Sequence, residues 1–310
     1  MLRNQILLSL CDSSGLGLEI GPGFNPLLPK ARGFNVQTVD YASRAELVEK
    51  YKGTSNVDVN AIEEVDWVTR GRPLLEIIPY RHYYDYIVAS HVVEHVPDLV
   101  SFIEACAQLM KPEGVLVLAV PDKRYCFDLF QPLSSTGSIL QAFVERRERP
   151  QPSAVFDSVA YDVLRDHKIG WPATADSPLT FNSTLEAGKS EFERAMSSNE
   201  YIDVHVWRFV PSSFRLIVND LNSIGVITLR ERTFVPGEGN EFYISLSQNG
   251  TGSGVARDEL ATCAMREAQD IRLPPRRPLG AQAAQAKGGA VRSFLGNIQK
   301  NLFLRAGKED

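Results

Sequence analysis

Four short apolar runs, at residues 15–21, 34–40, 84–90 and 114–122, recur through the first 121 residues with longer amphipathic or polar stretches between them. Runs that are apolar at nearly every position suit strands covered on both faces, and such strands lie parallel, joined by crossovers of a dozen residues or more. The alternation therefore predicts an α/β fold on a mostly parallel sheet. Between the last two runs, residues 98–110 set Leu99, Val100, Ile103, Ala107 and Met110 on one helical face, with Asp98 as N-cap and 111–114 as stop and turn. That helix should join adjacent strands by a right-handed crossover. Periodicity fades after Lys123, which predicts an insertion at residues 123–205 covering the sheet's carboxyl edge. It returns at 211–225, where Phe214, Ile217, Val218, Leu221 and Ile224 form an apolar stripe closed by Gly225. The runs on either side of Pro236-Gly237-Glu238-Gly239 read as a closing antiparallel hairpin, bringing the sheet to six or seven strands.

Residues 1–248 are expected to form one domain, and residues 249–310, rich in Gly, Ala, Pro and Arg, a flexible tail with one helix near 257–272. Within that tail, Val291, Phe294, Leu295, Ile298, Leu302 and Phe303 share a helical face with Arg292, Lys300 and Arg305 among the polar positions. Such an amphipathic helix docks on its own domain or a partner, or makes weak contact with a membrane surface. A formal charge of −5 argues against broad attraction of the main body to nucleic acid or an anionic membrane. The four cysteines, Cys11, Cys106, Cys126 and Cys263, show no C-x-x-C pairing, so neither a disulfide framework nor a zinc ribbon is expected. The apolar start is too short for a secretion signal, and no run approaches the roughly 20 apolar residues of a bilayer span. A soluble cytoplasmic protein is the expectation.

The most specific signal is "LEIGPGFNP" at 18–26. Two glycines, Gly21 and Gly23, directly follow a strand ending in Glu19-Ile20. Glycine accepts positive φ and lets backbone N–H groups approach a ligand closely. A dinucleotide site would want a third glycine at position 26, where Pro26 stands. The next strand ends at Asp40, nineteen residues past Gly21, where an α/β nucleoside site keeps the acid that binds ribose hydroxyls. Together these features point to a nucleoside cofactor without a diphosphate.

In order and spacing, "LEIGPGFNP", Asp40, "YDYIVASHVVEHVPD" and "LMKPEGVLVLAVPD" resemble a class I S-adenosylmethionine-dependent methyltransferase, close to the type 11 group, over roughly residues 15–122. The resemblance implies a Rossmann-like, seven-stranded fold and S-adenosyl-L-methionine as cofactor. It implies that Glu19, Gly21 and Gly23 hold the methionine end, that Asp40 binds ribose, and that an acid after the third strand meets adenine. Asp58 and Asp66 are available for that last role, with Asp66 preferred because Trp67 beside it offers a ring to stack on the base. Asn25 stands where many members have glycine. A looser resemblance, through the "GP-x-x-x-P" turn, the insertion and "HVWRFVPSSF", is to bacterial methyltransferases of surface-polysaccharide biosynthesis. It implies a glycan or other small-molecule hydroxyl as acceptor, with a quinone or lipid-type acceptor, or a non-catalytic scaffold module, as alternatives.

"HVVEH" at 91–95 also matches, letter for letter, the H-x-x-E-H of inverted zinc peptidases. That chemistry needs both histidines on one face of a helix, whereas here a strand runs into His91 and Pro97 disfavours a helical Val96. No metal is expected. The stretch reads instead as the turn after the fourth strand, with Ser90 and His91 beside the cofactor and Glu94 and His95 shaping the turn. A hydroxyl acceptor must lose its proton, which calls for His, Asp or Glu at the sheet's carboxyl edge. His91, Asp122, and the pair Asp203 and His205 are the candidates, with Asp166-His167 behind them. His205 is preferred because imidazole titrates near neutral pH, and its packing beside Trp207 is the purely structural alternative.

Overall fold

The computed structural model describes residues 3–54 and 57–271. Helix α1 (Arg3–Ser9) leads into β1 (Gly17–Ile20), β2 (Val36–Asp40), α2 (Arg44–Tyr51), β3 (Trp67–Val68), α3 (Leu74–Ile77), β4 (Tyr84–Ser90), α4 (Leu99–Leu109) and β5 (Met110–Pro121). Then come α5 (Thr136–Val144), α6 (Pro152–Ala160), a separate hairpin of β6 (Val163–Arg165) and β7 (Leu179–Phe181), and α7 (Leu185–Ser197). The chain returns through α8 (Pro211–Ser223), β8 (Arg230–Val235), β9 (Glu241–Ser247) and α9 (Arg257–Gln269).

The main sheet has seven strands in the order β3-β2-β1-β4-β5-β9-β8. β1 to β5 are parallel, and β9 runs antiparallel between β5 and β8. This is the Rossmann-like arrangement expected, with its closing antiparallel hairpin. Both faces are covered, which is why the strands read as continuous apolar runs. Along β4, Tyr86 and Val88 pack with Leu7 and Leu28 on one side, while Ile87 and Ala89 pack with Ile103 and Leu116 on the other. The helix expected from 98 is α4, and Asp98 caps it by accepting the Ser101 N–H at 2.9 Å. In α8 the stripe of Phe214, Ile217, Val218 and Leu221 is buried, and Gly225 closes the helix at φ +74°.

Helix α9 lies against α8. Leu260 and Ala264 are buried, Glu267 accepts from the Ser212 N–H and Oγ at 2.8 and 2.7 Å, and Arg257 pairs with Asp220. The amphipathic segment expected around Val291 to Phe303 lies outside the described residues. Among the described residues no helix is long and apolar enough to cross a membrane. Successive strands lead outward in opposite directions from β1 and β4, so a crevice opens between the carboxyl ends of these two strands, where ligands of open α/β sheets bind.

Candidate active site

At the end of β1 the chain turns through Gly21 and Gly23, at φ +70° and +55°. The Gly23 N–H donates to Asp40 Oδ2 at 3.0 Å, which ties the glycine turn to the acid that ends β2. A Cβ placed on Gly21 would stand 3.1 Å from Val92 Cγ2, so the turn after β4 packs directly against the glycine turn. Burial raises the Asp40 carboxyl above its ordinary range, against the opposing pull of the Gly23 and Ala42 N–H groups. Glu19 lies beneath the turn. It is buried, and its two oxygens accept the N–H groups of Leu27 and Leu28 at 2.7 and 3.0 Å. Its carboxylate thus holds the 21–28 loop in shape, and burial pushes the group up to about 7 although those two N–H groups pull it back.

Asp66 and Trp67 are not brought to this turn. Asp66 precedes β3, whose last residue pairs with Asp40, so it stands two residues short of the carboxyl edge. There Asp66 Oδ2 accepts from the Thr38 N–H at 2.7 Å and from Lys30 Nζ at 2.5 Å. The Trp67 ring donates its Nε1–H to Gln37 and meets Tyr80 edge-on, within the layer beneath the edge. The preference for Asp66 rested on the Trp67 ring beside it; the parallel register sets both residues on the near side of the strand's end. Asp58 caps the short turn at Val59–Ala61 through the Asn60 N–H.

Ser90 and His91 do sit at the carboxyl end of β4. Ser90 Oγ accepts from Arg3 of α1 at 2.5 Å, and the same guanidinium binds Glu241, the first residue of β9, at 2.6 and 3.0 Å. His91 Nε2 lies 2.8 Å from Glu241 Oε2. Residues 91–97 form a turn and not a helix, with His91 itself at φ +54°, so the peptidase arrangement is absent. The segment 201–209 is joined to this turn: Val206 and Trp207 donate N–H groups to the Glu94 carbonyl, Trp207 Nε1 donates to Val96 O, and Tyr201 OH to His95 O.

That junction brings three imidazoles onto one carboxylate. Glu94 is fully buried, and its Oε1 lies 3.4 Å from His91 Nδ1, 3.8 Å from His95 Nε2 and 3.8 Å from His205 Nε2. Each ring has a second carboxylate behind it: Glu241 for His91, Asp203 for His95 at 2.9 Å, and Asp128 for His205 at 2.5 Å. Asp203 thus lies against His95, and the hydrogen bond of His205 goes to Asp128. Burial works against the charged form of His91, yet the Glu241 carboxylate, and then Glu94, push it up to about 9. Burial likewise works to raise Asp203, but His95 holds it down at about 2. Asp128 is also held low against its burial, by His205 and then Arg208.

Asp122 is not available as a base in this arrangement. Its carboxylate is buried and chelated by Arg124 at 2.6 to 3.1 Å. Asp166 and His167 occupy an exposed turn after β6, both at positive φ, with Asp166 accepting from Ser177. A hollow of about 220 Å³ lined by Arg215, Asn219, Asn222 and Arg230 lies between α8 and the start of the outer strand β8 and holds none of these groups. Arg3, Asp128 and Glu241 were missed in the sequence. Glu241 had a signal, since an acid opening an antiparallel strand beside β5 lands at the carboxyl edge, whereas Arg3 and Asp128 had none.

Similarity to known proteins agrees with this architecture. A family model for a methyltransferase domain matches residues 2–175, more than half of the chain. The ubiquinone biosynthesis O-methyltransferase of Rhodopseudomonas palustris strain HaA2 is 39% identical over 118 residues, covering 37% of this chain and 44% of that protein. The protein of the same name from strain BisB5 is 32% identical over 111 residues, covering 35% and 41%. The chain thus spans less than half the length of these curated relatives. The solved CcbJ methyltransferase from Streptomyces caelestis is 10% identical, with 79% of this chain and 92% of that one covered and a TM-score of 0.40. With the parallel sheet, the glycine turn and the acid ending β2 in place, the match places the chain in the methyltransferase domain family, whose methyl donor is S-adenosylmethionine.

Proposed function

We propose that the chain transfers a methyl group from S-adenosylmethionine to a hydroxyl on a small quinone-type aromatic acceptor. The observation that carries the reading is the junction of a cofactor-type edge with a proton-handling edge. The glycine turn, Asp40 and the carboxyl end of β4 stand against the His91-Glu94-His95-His205 cluster, with Val92 as the contact between them.

The residues present fit the cofactor. Gly21 and Gly23 leave a cradle that a Cβ would fill, and Asp40 Oδ2 fixes that cradle through Gly23 while the carboxylate lies where ribose hydroxyls would donate. Ser90 and His91 line the same edge. When bound, S-adenosylmethionine supplies a methyl group on a positively charged sulfur. The protein's part is to align the acceptor oxygen in line with that carbon and to exclude water. The imidazole and carboxylate lone pairs converging at Glu94 provide what a hydroxyl needs as it loses its proton, and the Asp128 hydrogen bond leaves His205 Nε2 directed at that point. The insertion supplies Asp128 and closes over the edge from the side of Phe127, whose ring lies 4.6 Å from that of His205.

The choice of acceptor rests on the relatives, whose names place them in ubiquinone biosynthesis. Their names favour an aromatic ring hydroxyl over the sugar hydroxyl expected from the looser resemblance. The test is transfer of radiolabelled methyl from S-adenosylmethionine to a short-chain polyprenyl hydroquinone with a free ring hydroxyl, with a soluble glycan as the competing acceptor. Label in the ring compound supports the reading. Label only in the glycan, or none in either with cofactor bound, overturns it.

A further inference from the structure

We propose that Glu94, His95 and His205 form a binding site for one divalent transition-metal ion of the zinc class, with His91 beside it on the same carboxylate. The donor atoms of Glu94, His95 and His205 lie within 4.8 Å of one another. Both oxygens of Glu94 are buried without a hydrogen-bond partner, and so are Nδ1 of His91 and Nε2 of His205. A fully buried carboxylate in this condition is costly, because ion-pair contacts longer than hydrogen bonds only partly offset the loss of its water shell. The separations of 3.4, 3.8 and 3.8 Å from Glu94 Oε1 to the three ring nitrogens are long for hydrogen bonds. They are close to the edge of a coordination tetrahedron, which is roughly 3.3–3.6 Å for ligands about 2.0–2.2 Å from a zinc ion.

The groups behind the rings point the same way. A metal-binding histidine ordinarily donates its outer N–H to a carboxylate, which fixes the tautomer and directs the inner lone pair at the ion. Here two rings have that partner, His91 at 2.8 Å from Glu241 and His205 at 2.5 Å from Asp128, while His95 Nδ1 lies 2.9 Å from Asp203 as an ion-pair contact and not a hydrogen bond. Three of the five histidines of the chain lie against Glu94. Two imidazoles and one carboxylate form a nitrogen-rich set with an open position, which suits zinc, cobalt or nickel and not magnesium or calcium. The site is reached from the side of His95 and Asp203, whose side chains are 16% and 31% exposed. Its consequence for catalysis rests on the function proposed above: with an ion bound, Glu94 and His205 would act as its ligands and not as bases, and the ion would lower the pKa of an acceptor hydroxyl at its open position. The peptidase pattern in "HVVEH" thus becomes relevant in a different geometry, because a turn and a distant segment converge where a helix would have been needed.

The test uses the untagged, full-length chain, stripped with a chelator and titrated with Co²⁺ in the absence of methyl donor and acceptor. One equivalent should bind and give visible d–d absorption bands of a four- or five-coordinate nitrogen-bound ion, and Zn²⁺ should displace it. Glu94→Gln and His205→Ala should each weaken binding at least about 100-fold, and Asp128→Asn, which leaves every ligand in place, about 10–100-fold. His167→Ala, in its exposed turn, should bind as the unaltered chain does. The unaltered chain should also melt at a higher temperature with Zn²⁺ than without, which keeps the proposal open to refutation if a variant fails to fold. No d–d band in the unaltered chain, or binding that survives both Glu94→Gln and His205→Ala, would overturn it and leave a hydrogen-bonded cluster of imidazolium and carboxylate groups. Because no methyl transfer is read, either proposal can fail while the other stands.

Discussion

Asp40→Ala should raise the dissociation constant for S-adenosylhomocysteine, the demethylated form of the methyl donor, roughly 10- to 100-fold, and lower the melting temperature as well. The magnitude follows from two separate losses. Asp40 Oδ2 accepts the Gly23 N–H at 3.0 Å, a hydrogen bond to a charged group worth about 1.5–3 kcal/mol that holds the glycine turn. Acceptance of a ribose hydroxyl by the same carboxylate adds about 1.5–3 kcal/mol present only in the complex. The first is present with and without ligand and is read in the melting temperature, whereas the second alone converts to the stated range at 1.4 kcal/mol per tenfold. Asp40→Asn separates the two, because the amide oxygen still accepts from Gly23 while the charge on the ribose side is gone. It should cost about 10- to 100-fold in affinity and leave the melting temperature nearly unchanged, whereas Asp40→Ala should lower both. Isothermal titration calorimetry with the product, alongside thermal melts of the unliganded variants, reads both quantities. If both variants fold and bind within threefold of the unaltered chain, Asp40 does not face the ribose and the placement of the cofactor is wrong.

Two further outcomes follow from the same edge. Glu19 is raised in the folded chain to about 7, so its protonated form stabilises the fold fully below its ordinary value near 4.5, and that contribution is lost as pH rises through 7. The stability difference between the unaltered chain and Glu19→Gln, from urea unfolding at pH 4.5 to 8, should fall by an amount on the order of 3 kcal/mol across that window; a flat difference refutes the shift. Gly21→Ala forces a side chain to φ +70° and sets its Cβ 3.1 Å from Val92 Cγ2. It should destabilise by about 1–2 kcal/mol from the backbone alone and weaken product binding as well, and a variant as stable as the unaltered chain would show that the turn relaxes freely.

Much of the fold was legible because it rests on short-range patterns. Strands buried on both faces, such as β4 with Tyr86 and Val88 to one side and Ile87 and Ala89 to the other, must be apolar at every position, and that leaves a trace no register can erase. Asp98 and Gly225 marked helix ends through local hydrogen bonding and local φ. The candidate site was legible only in part. Gly21, Gly23 and Asp40 belong to two neighbouring strand ends, so spacing along the chain nearly equals spacing in space. Asp66 lies before β3 and not after it, and because β3 is only two residues long its end could not be located from the sequence. Asp122 was legible as an acid at the carboxyl edge, but not that the Arg124 side chain folds back on it, since a side chain's direction is set by its packing.

By itself the sequence determined the α/β architecture, the glycine turn and the acid beyond it, because each depends on residues within one strand or turn and on backbone rules that act locally. Only the tertiary structure decided what "HVVEH" is. His205 lies 110 residues beyond His95 and Glu241 lies 150 beyond His91, and neither neighbour is implied by any local pattern. They meet because the segment 201–209 bonds its backbone to the turn after β4 and because β9 inserts antiparallel beside β5. A buried carboxylate encircled by three imidazoles is the product of those two long-range pairings.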